Sequence, residues 1–446
     1  MSAPTAARYE AALRWLYGLS ARGIRLHLER MRGAVAARGA PQAGLRVVHV
    51  AGSNGKGSVC AMVERGLRAA GYRTGLFTSP HLHRYAERIR IAGRPLAEGE
   101  VADRLEELRR AMPALPRLTF FEVTALLAFE AFRDHGVDVV VLEVGLGGRL
   151  DATNVVETPL CSVVTGIALE HTRILGDTLE AIAGEKAGVI KRDCPVVIGE
   201  AAPGPRSVLR RRANGRKAPA WLLGRDFEGR SLADGRAAIR VGRARAASES
   251  AASESAVFEH TLRLGLGRAP YQARNAAVAA ATMRCLGEPG VPVPDDAIVR
   301  GLRGARWAGR AERVRVPGGP DFLFDAGHNP QGCAAAAALL PRPPTRKTVL
   351  LFGALADKDH EGMLAAFDGR VQRRVYATPG MRRAADVTAF PALRPGTLAR
   401  SVLDGLARAR RMAGPEGLVV VVGSIFLVQE VRAAVLGLRS DPPIAM

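Results

Sequence analysis

The residues most able to do chemistry cluster in HVAGSNGKGS, residues 49–58. An apolar run precedes this stretch and a helical pattern follows it, the order of strand, Gly-rich turn and helix start used to hold phosphate. Gly52, Gly55 and Gly57 let backbone N–H groups converge where a Cβ would obstruct them. Lys56 adds a mobile cation, Ser58 a hydroxyl for a phosphate–Mg²⁺ site, and Asn54 lies within the same turn. The strict GxxxxGK[ST] spacing is not met, because Gly57 separates Lys56 from Ser58, so a purely structural turn stays open on spacing alone. Glu143 ends the apolar run VDVVVLEV, where a carboxylate beyond a nucleotide loop suits a Mg²⁺–ATP site, although a capping glutamate would look the same. Only six lysines stand against 58 arginines. Lysine survives preferentially where a compact, titratable amine is needed, and Lys56, Lys186 and Lys358 all fall inside motif-like words.

Those words form an ordered set: HVAGSNGKGS, FTSPHL (77–82), LTFFE (118–122), LEVGLGGRLDATN (142–154), ALEHTRILGDTLEAIAGEKAGVIK (168–191), RNAAVA (274–279), GRAE (309–312), DAGHNP (325–330), FGALADKD (352–359) and VVGSIFL (421–427). The set resembles the folylpolyglutamate synthase/dihydrofolate synthase branch of the Mur ligase superfamily. The resemblance implies an ATP-dependent ligase that adds L-glutamate to folates, and to dihydropteroate, through an acyl phosphate. A Mur-type ligase acting on a peptidoglycan precursor is the alternative, and FTSPHL with LTFFE favours the folate branch.

By resemblance, Gly52, Asn54, Gly55, Lys56, Gly57, Ser58, Asn275, Arg310 and Asp325 serve ATP, the last two from the second domain. Ser58, Ser79, Glu143 and His171 belong to the environment of a pair of Mg²⁺ ions. Lys186 matches a lysine that the family carries as a carbamate, an anion that a hard cation accepts where an ammonium would be repelled. Lys56, His171 and Lys186 are thus the expected catalytic set. Without the resemblance, His171 would read as structural and Lys186 as an exposed helix lysine that is no part of the core. Thr119, Phe120, Phe121 and Glu122, with Leu150, Asp151 and Ala152, match segments that contact the pterin-bearing substrate, one of the two phenylalanines packing in the core. His328 is placed on the glutamate side, with a loop-structural role equally open. Departures from the family pattern are Ala168 and Glu170 for Gly and Asp, and DAGHNP for DGAHNP.

The elements that must position these groups alternate. After one amphipathic helix over Tyr9–Arg38, strands are expected at 45–50, 74–78, 137–144, 160–167 and 195–198, with helices at 58–70, 119–135 and 178–190. Residues 201–260 are rich in Ala, Arg, Gly and Ser, contain the repeat ASESAASESA (247–256), and read as a solvated excursion between short strands. A second alternation has strands at 322–324, 348–352, 374–377 and 418–422. The fold class is α/β: a P-loop-type N-terminal ATPase domain with a parallel sheet (1–296), and a smaller Rossmann-like, Mur ligase-like domain (297–446).

Composition narrows the class. Mean hydropathy of +0.03 and 24% charged residues suit a globular enzyme. The apolar run Leu418–Val428 is too short to span a bilayer, and MSAPTAARYE lacks a secretory core, so a cytoplasmic protein is expected. Five widely spaced cysteines with no CxxC pair suggest neither disulfides nor zinc. The net charge of +21 is spread along the chain with only 5% aromatics, which argues against nucleic acid and fits attraction of anionic small substrates. A monomer without membrane attachment is expected.

Overall fold

The computed structural model describes residues 3–23, 25–242 and 257–442. The chain divides into two compact units, one of residues 1–81, 86–265 and 272–305, the other of 82–85, 266–271 and 306–446. The junction expected at 296/297 falls inside the helix Asp295–Gly304, which the first unit holds whole.

In the first unit eight strands run β4-β3-β2-β5-β1-β6-β7-β8 across one sheet. They are β1 (Val47–Ala51), β2 (Thr74–Phe77), β3 (Ile89–Ile91), β4 (Arg94–Pro95), β5 (Val139–Glu143), β6 (Cys161–Val164), β7 (Val196–Ile198) and β8 (Ala220–Leu222). From β2 to β8 all pairings are parallel, while β3 and β4 add an antiparallel edge. VVHVA, VVVLE and CSVV are buried at every position, as strands covered on both faces must be. The helix Phe120–Asp134 packs Val123, Leu126, Leu127, Phe129 and Phe132 inward, each burial stabilising by about 1.5–3 kcal/mol.

Two local expectations are corrected. The single helix over Tyr9–Arg38 is two helices, Ala3–Gly18 and Leu28–Ala37, with a 3₁₀ turn at Leu19–Arg22 and a break before Leu28. Gly18, Gly23 and the β-conformation of His27 interrupt the periodicity, consistent with glycine's weak helix propensity. The stretch 201–260 is also more ordered than its composition suggests. A helix, Pro203–Gly215, precedes β8, and β9 (Phe227–Ser231), β10 (Ala237–Val241) and β11 (Phe258–Leu262) form a three-stranded antiparallel sheet. The ASESAASESA repeat lies outside the described residues.

The second unit carries a six-stranded sheet in the order β12-β13-β17-β14-β15-β16. Its strands are β12 (Glu312–Val314), β13 (Asp321–Phe324), β14 (Thr348–Phe352), β15 (Arg373–Tyr376), β16 (Thr397–Leu398) and β17 (Leu418–Val422), with only β12 antiparallel. Alternation along the strands divides the core. Leu323, Leu350, Phe352, Val420 and Val422 face one apolar cluster, while Phe322, Phe324, Val349, Leu351, Val419 and Val421 face the other. Leu82 joins the second of these clusters.

Candidate active site

The loop after β1, the central strand of the first sheet, leads into the helix Lys56–Ala69. Gly52 has φ 143°, and a Cβ there would meet Thr165 Oγ1 at 2.0 Å. Gly55, the residue before the helix, has φ 91°, and its Cβ would meet Asn275 Oδ1 at 2.5 Å. Both positions therefore require glycine on conformational and steric grounds. Neighbouring segments brace the loop: Thr165 Oγ1 donates to Asn54 O (2.7 Å), Ser53 N to Gly166 O (2.7 Å), and Ser53 Oγ exchanges bonds with Ala168. Thr165 and Ser53 were missed from sequence, because a small hydroxyl residue carries no distinctive spacing.

The Gly52 carbonyl gathers two cations. It accepts from Lys56 Nζ at 2.8 Å and from Lys186 Nζ at 3.1 Å, while Lys186 also pairs with Glu170 Oε1 at 2.7 Å. Lys186 is 2% exposed, which corrects the expectation of a side chain outside the core. Burial, the largest influence, holds its amine below the ordinary lysine range, and Lys56 adds to this against the pull of Glu170. At Glu170 the balance is reversed: burial would raise its carboxyl, but Lys186, Lys56 and His171 together hold it low. His171 begins a short turn of helix with φ 47° and is half-buried beside this group.

Around this centre lie the other expected groups. Glu143, buried at the end of β5, accepts from Ser79 N at 3.1 Å. Ser58 Oγ accepts from Gln272 Nε2 at 3.3 Å, and Gln272 Oε1 in turn accepts from Asn275 Nδ2 at 3.1 Å. Among the described residues no three His, Cys, Asp or Glu side chains converge into a ready-made metal cage. The donors nevertheless fit Mg²⁺, which takes one or two carboxylates with substrate phosphates and water rather than an all-protein shell. The backbone cradle enforced at Gly52 and Gly55 likewise fits a triphosphate.

The residues expected on the folate side are largely engaged with the protein. Thr119 and Glu122 form a reciprocal capping box for the helix Phe120–Asp134, and Glu122 also pairs with Arg30 at 3.0 Å. Phe120 is buried with Arg88 over its ring at 5.2 Å. Phe121 is half-buried, edge-on to Phe77 and over Gly145. Asp151 accepts from Leu146 N and from Thr153 N and Oγ1, while Thr153 Oγ1 meets His49 Nε2 at 2.9 Å. Leu150 is half-buried and Ala152 starts the 3₁₀ turn that Asp151 caps.

In the second unit, Asp325 is buried at the end of β13. Its Oδ2 accepts from Tyr271 Oη (2.8 Å) and Ala311 N (2.9 Å), and its Oδ1 from Gly327 N (2.8 Å). Arg310 lies between Gly309 and Ala311, whose φ values are 68° and 51°. His328 Nδ1 lies 3.0 Å from Ala326 O, which makes that nitrogen the donor.

The family profile described as "Mur ligase, glutamate ligase domain" matches residues 309–425. The chain is 36% identical over 438 residues to a probable bifunctional folylpolyglutamate synthase/dihydropteroate synthase of Haloferax volcanii, covering 95% of this chain and 50% of that protein. It thus spans about half the length of the archaeal relatives it matches. With the dihydrofolate synthase/folylpolyglutamate synthase of Escherichia coli it shares 35% identity over 431 residues, 96% of each chain. Among solved structures, E. coli FolC in complex with DHPP and ADP superposes with a TM-score of 0.82 at 34% identity, covering 96% of this chain and 98% of that one. A Yersinia pestis folylpolyglutamate synthase/dihydrofolate synthase complexed with AMPPNP and Mn ion gives 0.83 at 32%, with the same coverage. Fold, phosphate loop and family profile together define the Mur ligase class of proteins. Within that class, the chain belongs to the folylpolyglutamate synthase/dihydrofolate synthase family.

Proposed function

We propose that this chain is an ATP-dependent ligase that joins L-glutamate to the carboxylate of folates, and of dihydropteroate as well. The observation that carries the reading is the loop at the end of β1, where Gly52 and Gly55 leave room only for backbone and Lys56 stands at the helix start. Loop N–H groups and the helix N-terminus bind phosphate oxygens, and Lys56 exchanges its carbonyl partners for the γ-phosphate. Glu143 and the hydroxyls of Ser58 and Ser79 would hold Mg²⁺, which when bound neutralises charge on the transferring phosphoryl group. The acceptor carboxylate oxygen attacks the γ-phosphorus and the bond to ADP breaks. The amine of glutamate then attacks the acyl carbon, loses a proton, and phosphate leaves. Asn275, Arg310 and Asp325 keep the nucleotide-contacting roles implied by resemblance, and His328 the glutamate side. The complexes of the E. coli and Y. pestis relatives with ADP, DHPP, AMPPNP and Mn support this substrate and metal class.

Lys186 is proposed to act as a carbamate. Its burial favours the neutral amine, the form that adds carbon dioxide, and Lys56 supplies nearby positive charge. The carboxylate of Glu170, 2.7 Å from the amine, opposes it, so the modified side chain would need the positive charge of a bound cation nearby. Enzyme equilibrated with ¹³C-bicarbonate and Mg²⁺ should show a carbamate carbon resonance that is absent from Lys186→Arg. A fully active Lys186→Arg enzyme would refute the carbamate. A cytoplasmic setting is inferred from the five free cysteines, which suit a reducing compartment. Nucleic acid and membrane have no part in the reading, and a monomer is proposed.

ADP release is the deciding measurement. It should require both L-glutamate and a pteroyl acceptor, with dihydropteroate and tetrahydrofolate each tested alone. Turnover with a UDP-muramyl acceptor, and none with either pteroyl compound, would assign the chain to the cell-wall ligases instead.

A further inference from the structure

The loop that presents Arg310 is held in an unfavourable shape. Gly309 and Ala311 both have positive φ, a conformation that alanine seldom adopts unless its surroundings impose it. The restraint can be traced outward through the second unit. Gly309 N donates to Glu312 Oε2 at 2.7 Å, and Glu312 is clamped by Arg432 through Nε and Nη2, both at 2.9 Å. Arg432 Nη1 lies 2.8 Å from His83 Nε2, and His83 Nδ1 lies 2.9 Å from Ser440 Oγ. A guanidinium can only donate, so Nε2 of His83 accepts and Nδ1 carries the hydrogen given to Ser440. A strap closes over the same histidine: Asp441 N donates to His83 O at 2.8 Å, and Tyr85 N to Asp441 Oδ2 at 2.6 Å. His83 is only 6% exposed. The guanidinium of Arg310 makes no hydrogen bond or ion pair among the described residues, so the network fixes its backbone and leaves its head for a ligand.

We infer that His83 is a positioning residue for Arg310, acting through Arg432, Glu312 and the Gly309 amide to set the loop that meets the nucleotide. This rests on the reading that Arg310 contacts ATP. The chemistry needed at position 83 is a neutral acceptor aimed at Arg432, which a glutamine amide also supplies.

The test is steady-state ADP release by full-length His83→Ala, His83→Gln, Arg310→Ala and the double variant, with circular dichroism and thermal melts for each. His83→Ala should raise KM for ATP about tenfold, the scale of one lost charge-assisted hydrogen bond, with kcat little changed. His83→Gln should restore most of that loss, and His83→Ala should add nothing in the Arg310→Ala background. An unchanged KM in His83→Ala, or an equal rise in both backgrounds, overturns the positioning role. If His83→Ala does not fold, an impaired His83→Gln with a normal melt overturns it instead. Should Arg310→Ala itself leave KM for ATP unaltered, the nucleotide role of Arg310 fails, and the inference with it.

Discussion

Lys186 shows how a single residue can be recognised by its word yet misread in its surroundings. Its neighbours in GEKAGVIK suggest an exposed helix end, whereas the fold buries it against Glu170 and the Gly52 carbonyl. In the unmodified enzyme, Lys186→Ala would remove the cation paired directly with a buried carboxylate, a loss of about 3–5 kcal/mol. Lys186→Ala should therefore melt well below wild type, and Glu170→Gln in the same background should recover part of the difference while activity stays low. The pH dependence has a definite sign. The Glu170 carboxyl is held below its unfolded value of 4.5, so its stabilisation is complete above that value and is lost as pH falls. The melting difference between wild type and Glu170→Gln should narrow on acidification from pH 7 toward about 3. A constant difference would mean that the pair contributes nothing as an ion pair. Thr119 and Glu122, expected on the substrate side, also show the T-x-x-E spacing of a capping box, and the structure uses them in that way.

Among the elements, the central strands were easy to read because burial on both faces leaves unbroken apolar runs, and VVHVA, TVLLF and LVVVV are buried throughout. The small sheet β9–β11 was hidden because its strands alternate with charged residues, in burial patterns such as BiBeB, within an Arg- and Ala-rich stretch. The loop between β1 and its helix is legible in its glycines but not in its prop Thr165, which is distant in sequence, while Asn275 is reached only through the family resemblance. That difference can be tested. Gly52→Ala should raise KM for ATP more than tenfold, because it adds a 2.0 Å clash with Thr165 to about 1–2 kcal/mol of backbone strain. Gly71→Ala, at φ 97° with nothing within 4 Å, should show the strain in its melting point while KM for ATP stays at the wild-type value. Equal kinetic effects would show that strain alone, and not the shape of the cradle, governs binding.

For the molecule as a whole, the division into units does not follow the order of the chain. The second unit takes Leu82–Tyr85 and Leu266–Tyr271 from within the first stretch, and both carry contacts it needs. Leu82 lies in the cluster with Phe322, Phe324, Leu427 and Val428, and Tyr271 bonds Asp325. A fragment of residues 306–446 should therefore bind an apolar dye and melt without a sharp transition. A cooperative melt at the full-length midpoint would show the two segments to be dispensable. Among the described residues no helix is long and apolar enough to cross a membrane.

The strap formed by Asp441 over His83 and Tyr85 has a consequence for the newborn chain. On a ribosome adding roughly 5–20 residues per second, the segment at 82–85 emerges tens of seconds before its closing partner is made. Until then Leu82 and His83 lack the cluster and the strap that they join in the second unit. The strap over His83 can close only after Asp441 has been made, so a chain stalled before that point would carry Arg310 without the full set of contacts that hold its loop.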